Sequence, residues 1–145
     1  MARVRRSRLI AAPPAELWKV AADPHHLPRW WPKTERVERV GPDGWTSVLL
    51  TAKGRPVRAD YRVEASEAPA RRAWSQELEG SPFERLLSSA RTELRLRGQG
   101  EGTQVELELD QGLRGWARLG APLVRRAARA QLDEALAGLD GLVAR

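Results

Sequence analysis

The chain has 145 residues, of which 41% are hydrophobic and 30% are charged, and its formal net charge is +6. This length predicts one domain over residues 1–145, and this composition excludes a disordered chain. The sequence holds no cysteine, which excludes disulfides, thiolate nucleophiles and cysteine-based zinc sites. Its two histidines are adjacent, so we do not expect a histidine-rich metal site, and we expect no cofactor.

The basic balance raises nucleic acid and anionic membranes as partners. All but three of the 25 basic residues are arginine, however, which is typical of a GC-rich bacterial genome and favours codon bias over a functional basic surface. No apolar run approaches the ~20 residues of a transmembrane helix, and residues 9–12 are too short for a signal peptide. We therefore expect a cytoplasmic bacterial protein with no transmembrane segment and no specific nucleic-acid partner.

The first third of the chain predicts a strand followed by two short helices. Pro13 and Pro14 end the strand and suit the first turn of a helix. Asp23 and Pro24 combine a good N-cap with a good first helical residue. The predicted elements are a strand at Arg3–Ile10 and helices at Ala15–Ala22 and Pro24–Trp30.

The centre of the chain predicts strands separated by glycine and proline turns. Lys53 and Gly54 predict a hairpin, and a bulge is expected near Ser88 and Ser89. The predicted strands are Glu35–Val40, Trp45–Ala52, Arg55–Ala65, Arg71–Leu78, Phe83–Arg97 and Thr103–Gln111. This order predicts an α+β protein with an antiparallel sheet.

Helical periodicity runs from Leu113 to the end of the chain, and Pro122 predicts a kink or a new start. The apolar residues form two stripes that differ by roughly 100° around the helix axis. The first stripe comprises Trp116, Leu119, Leu123 and Ala127. The second comprises Leu132, Ala135, Leu136, Leu139 and Val143. One helix is therefore expected to face two environments.

Several of these features occur together in one known superfamily. They are the segment Ile10–Trp18, the pair Asp23-Pro24 followed by Leu27–Trp30 and Pro32, the strand ending at Trp74 after Pro69, the hairpin Gly100–Val105 and the long C-terminal helix. In this order they resemble the START/polyketide cyclase/birch-pollen-allergen-like (SRPBCC) superfamily.

The resemblance implies the helix-grip fold, a curved antiparallel sheet of six to seven strands wrapped around a long C-terminal helix, with two short helices after strand one. It also implies a deep pocket between sheet and helix. The first half of the helix would face the pocket, and the second half would pack on the sheet. Members include cyclases, lipid and hormone binders and chaperone co-factors, so the resemblance does not specify function.

Strand parity predicts which side chains line such a pocket, because alternate residues share one face. Trp74 is expected to face Trp116 or Leu119 of the helix. The predicted lining is mostly apolar with a few polar groups, as in small-molecule sites. The alternative is that these side chains only fill the core. The candidate ligand-binding residues are Tyr61, Trp74, Gln76, Leu78, Thr92, Leu94, Trp116, Leu119 and Leu123.

No catalytic constellation is identifiable. His25 and His26 could supply a general base, but adjacent helical residues cannot both face one pocket, and no carboxylate is obviously spaced to orient either ring. Surface or capping roles are favoured for both. The glycine-rich segment 98–102 joins two strands, which excludes a phosphate loop at a helix N-terminus. The arginine stripe Arg114, Arg118, Arg125 and Arg129 suits an acidic membrane or nucleic acid, although a solvated helix face explains it equally well.

Three hypotheses follow. The first is binding of a small hydrophobic molecule, such as a lipid, polyketide or aromatic compound, by a monomer or homodimer. The second is a polyketide cyclase/dehydratase-like enzyme in which Tyr61 and Gln76, with Thr92 as a more remote candidate, transfer protons. The third is a module that uses its basic surface to bind nucleic acid or a membrane.

Overall fold

Seven antiparallel strands form one sheet in the computed structural model of the protein, which describes residues 2–143. Their spatial order is β1-β7-β6-β5-β4-β3-β2. Every pair of adjacent strands is therefore consecutive in sequence, except the pair of β1 and β7. The strands are β1 Ala2–Ile10, β2 Thr34–Gly41, β3 Gly44–Leu50, β4 Pro56–Glu67, β5 Arg71–Glu77, β6 Leu87–Gln99 and β7 Gly102–Leu113.

The helical elements lie after β1 and after β7. They are α1 Pro14–Ala21, a 3-10 turn at Pro24–His26, α2 Leu27–Trp30, a 3-10 segment at Gly115–Gly120 and α3 Ala121–Val143. This arrangement confirms the helix-grip fold. The strand predicted from Phe83 begins only at Leu87, because residues 82–86 form turns. The predicted bulge is confirmed by a register shift between Leu87 and Ser89.

The segment that contains the 3-10 turn and α2 is held at its start by a capping hydrogen bond and at its end by packing on α3. Asp23 caps the 3-10 turn by accepting a hydrogen bond from the backbone N–H of His25 at 3.0 Å. At the other end Trp30 packs on α3 at Gly138, where a Cβ would lie 2.8 Å from the Trp30 carbonyl oxygen. Only glycine allows this approach, which closes one end of the space between sheet and helix.

The second apolar stripe of the C-terminal helix packs where it was predicted to pack. Leu132, Ala135, Leu136 and Leu139 are all buried in the main core between α3 and the sheet. Val143 is half-buried at the end of the helix. The core thus sits under the C-terminal two-thirds of α3.

The prediction that the first stripe faces the pocket is wrong for its three large residues. Trp116 is 88% exposed, Leu119 76% and Leu123 72%. The 3-10 segment turns about 120° per residue rather than 100°, and α3 starts afresh at Ala121 with Pro122 in its first turn, so a single helical phase does not hold. Smaller residues face inward instead. Ala117, Ala121 and Val124 pack against Leu78, Leu87 and Leu113 in a second, smaller core.

The outer face of the sheet carries ion pairs across neighbouring strands. Glu93 is the most buried of these charges, at 5% exposure, and lies beneath Arg71, Arg91 and Arg95. Its carboxylate accepts hydrogen bonds from Arg71 at 3.0 Å and from Arg91 at 2.9 Å. Among the described residues, no helix has both the length and the apolarity to cross a membrane.

Candidate functional site

A cavity of about 80 Å³ lies between the sheet and α3, beside α2. We call it the inner cavity. Strands β2 to β7 supply most of its wall, and α2, the segment after it and α3 supply the rest. The lining residues are Leu27, Trp31, Thr34, Trp45, Ser47, Leu49, Tyr61, Trp74, Gln76, Ala90, Thr92, Leu109, Gln111 and Gln131.

Strand register brings the lining side chains together in rows. Tyr61 is directly opposite Trp45 of β3 on one side and Gln76 of β5 on the other. In the next row Trp74 is opposite Thr92 of β6. Directly opposite residues place their Cβ atoms about 5 Å apart on the same face. Each row therefore forms a continuous strip of cavity wall.

Five aromatic rings run in contact along this wall. We call Trp30, Trp31, Trp45, Tyr61 and Trp74 the aromatic cluster. Tyr61 stacks on Trp45 with centroids 5.3 Å apart and planes inclined by 16°. Trp74 meets the edges of Trp45 and Trp31 at 5.8 and 6.2 Å. These are favourable aromatic geometries, and four of the rings line the inner cavity.

The polar groups of the inner cavity are nearly all neutral amides and hydroxyls. Trp45 donates its indole N–H to Ser47 Oγ at 3.0 Å, which satisfies both groups internally. The Nε2 of Gln76 is buried and has no hydrogen-bond partner among the described residues. An unpartnered buried amide donor costs free energy unless a ligand or water accepts from it.

Tyr61 is the single ionisable residue in this lining, as far as the structure describes the chain. Burial raises the pKa of Tyr61 to about 12, so its hydroxyl stays protonated at neutral pH. A protonated phenol donates or accepts a hydrogen bond but does not act as a base. The inner cavity is therefore equipped to orient a neutral ligand.

A second space of about 490 Å³ adjoins the inner cavity. We call it the outer groove. Trp31, Leu49, Tyr61 and Gln131 line both spaces and stand at their junction. The remaining groove residues are largely apolar and include Leu50, Val57, Phe83, Ala127 and Ala130. Together the two volumes fall in the range of small-molecule sites, about 300–1,000 Å³.

A third space lies where β5 and β6 separate. Their pairing ends at Ser75 opposite Arg91, so Gln76 and Ala90 flank a gap without a hydrogen-bond ladder. Beyond this gap is a polar pocket of about 540 Å³ that also contains Asp110 and Arg114. Gln76 and Ala90 line both this polar pocket and the inner cavity.

The structure brings four of the nine predicted ligand-binding residues together in the inner cavity: Tyr61, Trp74, Gln76 and Thr92. Leu94 is fully buried in the main core, and Leu78 belongs to the second core. Trp116, Leu119 and Leu123 do not reach the cavity, so Trp74 faces Trp31 and Trp45 and not Trp116 or Leu119.

Sequence reasoning missed several lining residues. Trp45, Ser47 and Leu49 share one strand parity, so the rule applied to β4, β5 and β6 would have identified them. The same rule applied to β7 would have identified Gln111, which shares the parity of Leu107 and Leu109. Trp31 and Gln131 carry no comparable signal, because neither a glutamine on a helix nor a tryptophan between a helix and a strand indicates its orientation.

His25 and His26 lie outside all three spaces. A carboxylate does contact them, contrary to the sequence-based expectation: Asp23 lies 2.9 Å from Nδ1 of His25 and 3.7 Å from Nε2 of His26. Burial acts to raise the pKa of Asp23, but hydrogen bonds from the His25 backbone and ring and the charges of both histidines lower it overall. These groups form a surface cap, as favoured.

Solved structures share this fold across the whole chain. A START superfamily protein from Mycobacterium smegmatis is 14% identical, with a TM-score of 0.78 over 97% of this chain and 96% of that one. A protein from Thermus thermophilus is 25% identical, with a TM-score of 0.75 over 96% and 94%. The di-domain ARO/CYC protein BexL from the BE-7585A biosynthetic pathway is 24% identical, with a TM-score of 0.77 over 97% of this chain and 46% of that one.

No curated protein matches the chain in sequence. The sequence model that describes polyketide cyclases, dehydrases and lipid transport proteins matches residues 1–144, nearly the full length. This match agrees with the seven-stranded sheet, the long C-terminal helix and the cavity between them. The chain therefore belongs to the polyketide cyclase / dehydrase and lipid transport family.

Proposed function

We propose that the protein binds a small, neutral, planar aromatic compound that carries an oxygen acceptor such as a carbonyl. The observation that carries this proposal is the aromatic cluster around a buried, unpartnered Gln76 Nε2. A flat ring in the outer groove can stack on Trp31 or Tyr61, the members of the cluster that line both spaces, while its oxygen reaches into the inner cavity and accepts the hydrogen bond that Gln76 lacks. The family and the fold support a START/polyketide cyclase-like ligand-binding domain.

The volumes of the inner cavity and the outer groove suggest which part of such a ligand would lie in each. About 80 Å³ is too little for a large molecule, since even a benzene ring occupies a cavity of roughly 150 Å³ in a protein core. The oxygen-bearing end would enter the inner cavity past Tyr61 and Gln131. The apolar remainder would lie in the outer groove against Leu49, Leu50 and Val57.

The cyclase-like alternative has weaker support in this site. A cyclisation that moves protons near neutral pH requires a group that gains and loses them there. Among the described residues, no Asp, Glu, His, Lys or Arg lines the inner cavity, and the raised pKa of Tyr61 keeps that residue protonated. Binding and orientation are the functions that these side chains perform without further groups. A cytoplasmic location and a monomeric or dimeric state belong to the same proposal.

A matched pair of compounds tests the proposal. We expect 2-acetylnaphthalene to bind about 3–10-fold more tightly than 2-ethylnaphthalene, because only the ketone accepts a hydrogen bond. Ligand-observed NMR titrations give both affinities. In Gln76→Leu the preference is expected to disappear, while the affinity for 2-ethylnaphthalene stays the same.

Two outcomes would contradict the proposal. Equal affinities of the wild-type protein for the two compounds would show that Gln76 does not select an oxygen acceptor. Failure of both compounds to bind up to their solubility limits would exclude aromatic binding altogether. Far-UV circular dichroism of Gln76→Leu serves as the control for an intact fold.

A further inference from the structure

Four of the six large apolar side chains that face solvent, in the part of the chain that the structure describes, lie in the loop before β6 and in the segment after β7; the other two are Leu9 and Leu50. Leu86, Trp116, Leu119 and Leu123 are 57% to 88% exposed, and we call them the Trp116 patch. Tryptophan is seldom left this open to water. The backbone N–H of Arg114 donates to the carbonyl of Leu86, so the loop before β6 and the 3-10 segment are adjacent. Exposed apolar side chains gathered in this way mark an interaction surface.

The Trp116 patch stands on a firm base. Beneath it Ala117, Ala121 and Val124 pack against Leu87 and Leu113 in the second core. Arg114 and Arg118 donate Nε hydrogen bonds to the carbonyls of Leu87 and Leu113 at 3.2 and 3.3 Å. The small residues fill the inner face, and this leaves the tryptophan and the leucines pointing outward.

Five arginines lie close to the Trp116 patch in sequence. Arg85, Arg114, Arg118, Arg125 and Arg126 are its neighbours in sequence. Acidic residues of α3 do form ion pairs, with Asp133 and Asp140 contacting Arg6 and Arg8 of β1. Within residues 2–143 none of the five arginines makes an ion pair with a carboxylate. Glu84 is the single acidic residue in the segments 83–87 and 113–127, which contain all five arginines, so the charge around the patch is net positive and favours an anionic partner.

We infer that the Trp116 patch docks on the surface of an anionic lipid bilayer. Tryptophan and leucine insert at the boundary between headgroups and acyl chains, and arginines around them bind lipid phosphates. A second copy of this chain fits less well, because a two-fold contact would bring two sets of uncompensated arginines together. Nucleic acid would use the arginines but would leave the leucines exposed.

The outer groove continues from the Trp116 patch. Ala127 lies one helical turn beyond Leu123 and lines the groove, and Phe83 belongs both to the groove and to the packing around the second core. A docked molecule would hold the groove close to the lipid surface. Docking needs no ligand in the inner cavity and can be measured on the empty protein.

Co-sedimentation with vesicles tests the inference. One set of vesicles contains phosphatidylcholine alone, and the other contains equal parts of phosphatidylcholine and phosphatidylglycerol. We expect binding to the anionic vesicles only, with an affinity that falls as salt is added. A blue shift of tryptophan emission on binding, absent in Trp116→Phe, would place Trp116 in the bilayer.

Two sets of variants separate the apolar and charged contributions. We expect Leu119→Ser/Leu123→Ser to lower vesicle affinity by at least about tenfold. Arg85→Gln/Arg126→Gln should lower it by about fivefold per arginine. The control Lys19→Gln/Arg97→Gln removes the same charge from exposed sites near the opposite end of the sheet and should change affinity little. All these sites are exposed, so the variants are expected to fold.

Three results would overturn the inference. One is equal binding to neutral and anionic vesicles. Another is an equal loss of affinity in the control variant, which would show that only net charge matters. The third is a stable dimer in light scattering that Leu119→Ser/Leu123→Ser dissociates and that binds no vesicles, which would show that a second copy covers the patch.

Discussion

Trp74 connects the aromatic cluster to the centre of the sheet, and its truncation tests that role. Trp74→Ala should lower the free energy of unfolding by about 3 kcal/mol, because a large buried aromatic is lost. The value lies at the low end of the usual range, since one side of the ring already borders the inner cavity. Chemical denaturation measures the change.

Trp116→Ala is the matched control for this truncation. It removes the same side chain from a site that is 88% exposed, so the free energy of unfolding should change by no more than about 0.5 kcal/mol. Equal losses in the two variants would contradict the burial that distinguishes the two tryptophans.

Glu93 makes the stability of the protein depend on pH. Desolvation acts to raise the pKa of Glu93, but hydrogen bonds from Arg71 and Arg91 and the charge of Arg95 outweigh it and lower the pKa to about 2. A carboxyl with a lowered pKa in the folded state stabilises the fold above its unfolded pKa of about 4.5, and that contribution is lost as pH falls toward 2.

Glu93→Gln should therefore flatten the fall in the free energy of unfolding between pH 5 and pH 2, as measured by urea denaturation across that interval. The amount removed should be on the order of 2 kcal/mol at neutral pH. Glu101→Gln, in the exposed β6–β7 hairpin, should leave the pH profile unchanged. A Glu93→Gln profile parallel to that of the wild type would show that another carboxylate controls the acid limb.

At the scale of elements, two glycines of α3 are expected to respond in opposite directions to the same substitution. Gly138→Ala forces a methyl group to 2.8 Å from the Trp30 carbonyl oxygen and should destabilise the fold by about 2 kcal/mol. Gly141→Ala meets no atom within 4 Å and should stabilise it by about 0.5–1 kcal/mol through helix propensity. Thermal unfolding of both variants measures the contrast. Destabilisation of similar size in both would mean that α2 does not pack closely on α3.

How far sequence predicts an element depends on how many local signals agree. In β7 three signals indicate the same strand: the alternation of apolar and polar residues, the preceding glycine turn and the strand propensity. The position of this strand was predicted closely. After Leu113 the apolar periodicity correctly placed the second stripe, but the orientation of Trp116, Leu119 and Leu123 was wrong, because periodicity locates an apolar stripe without saying whether core or solvent covers it. The placement of Trp116 depends on the 3-10 geometry of Gly115–Gly120 and on competition from Ala117, Ala121 and Val124 for the inner face.

The cavity itself was predicted only in outline. Strand parity correctly brought Tyr61, Trp74, Gln76 and Thr92 to the inner cavity. It could not reveal that β5 and β6 separate beyond Ser75, because the end of a ladder depends on sheet curvature and on the turns at residues 82–86. Gln131 likewise required the rotation of α3 about its axis, which only tertiary packing fixes.

At the scale of the whole molecule, local stability should differ across the sheet. β7 lies between β1 and β6 and contributes the buried Val105 and Leu107, whereas β2 is an edge strand with two register shifts against β3. We expect amides of β7 to exchange most slowly and those of β2 most rapidly among the strands. Hydrogen exchange followed by mass spectrometry measures the protection of β7 and of β2. Equal protection of the two strands would contradict this difference in local stability.

The gap between β5 and β6 bears on how the inner cavity exchanges its contents with the surroundings. Gln76 and Ala90 line both the inner cavity and the polar pocket, so their side chains form the part of the wall that the two spaces share. If a cavity has one opening, the water that a ligand displaces must leave by the path along which the ligand enters. If it has a second opening, that water can leave through it. A change of the Gln76 rotamer would connect the inner cavity to the polar pocket. The cavity would then have two openings, an apolar one at the outer groove and a polar one in the sheet. If Ala90→Leu narrows this second opening without changing the affinity, it should slow the association and the dissociation of a ligand by the same factor.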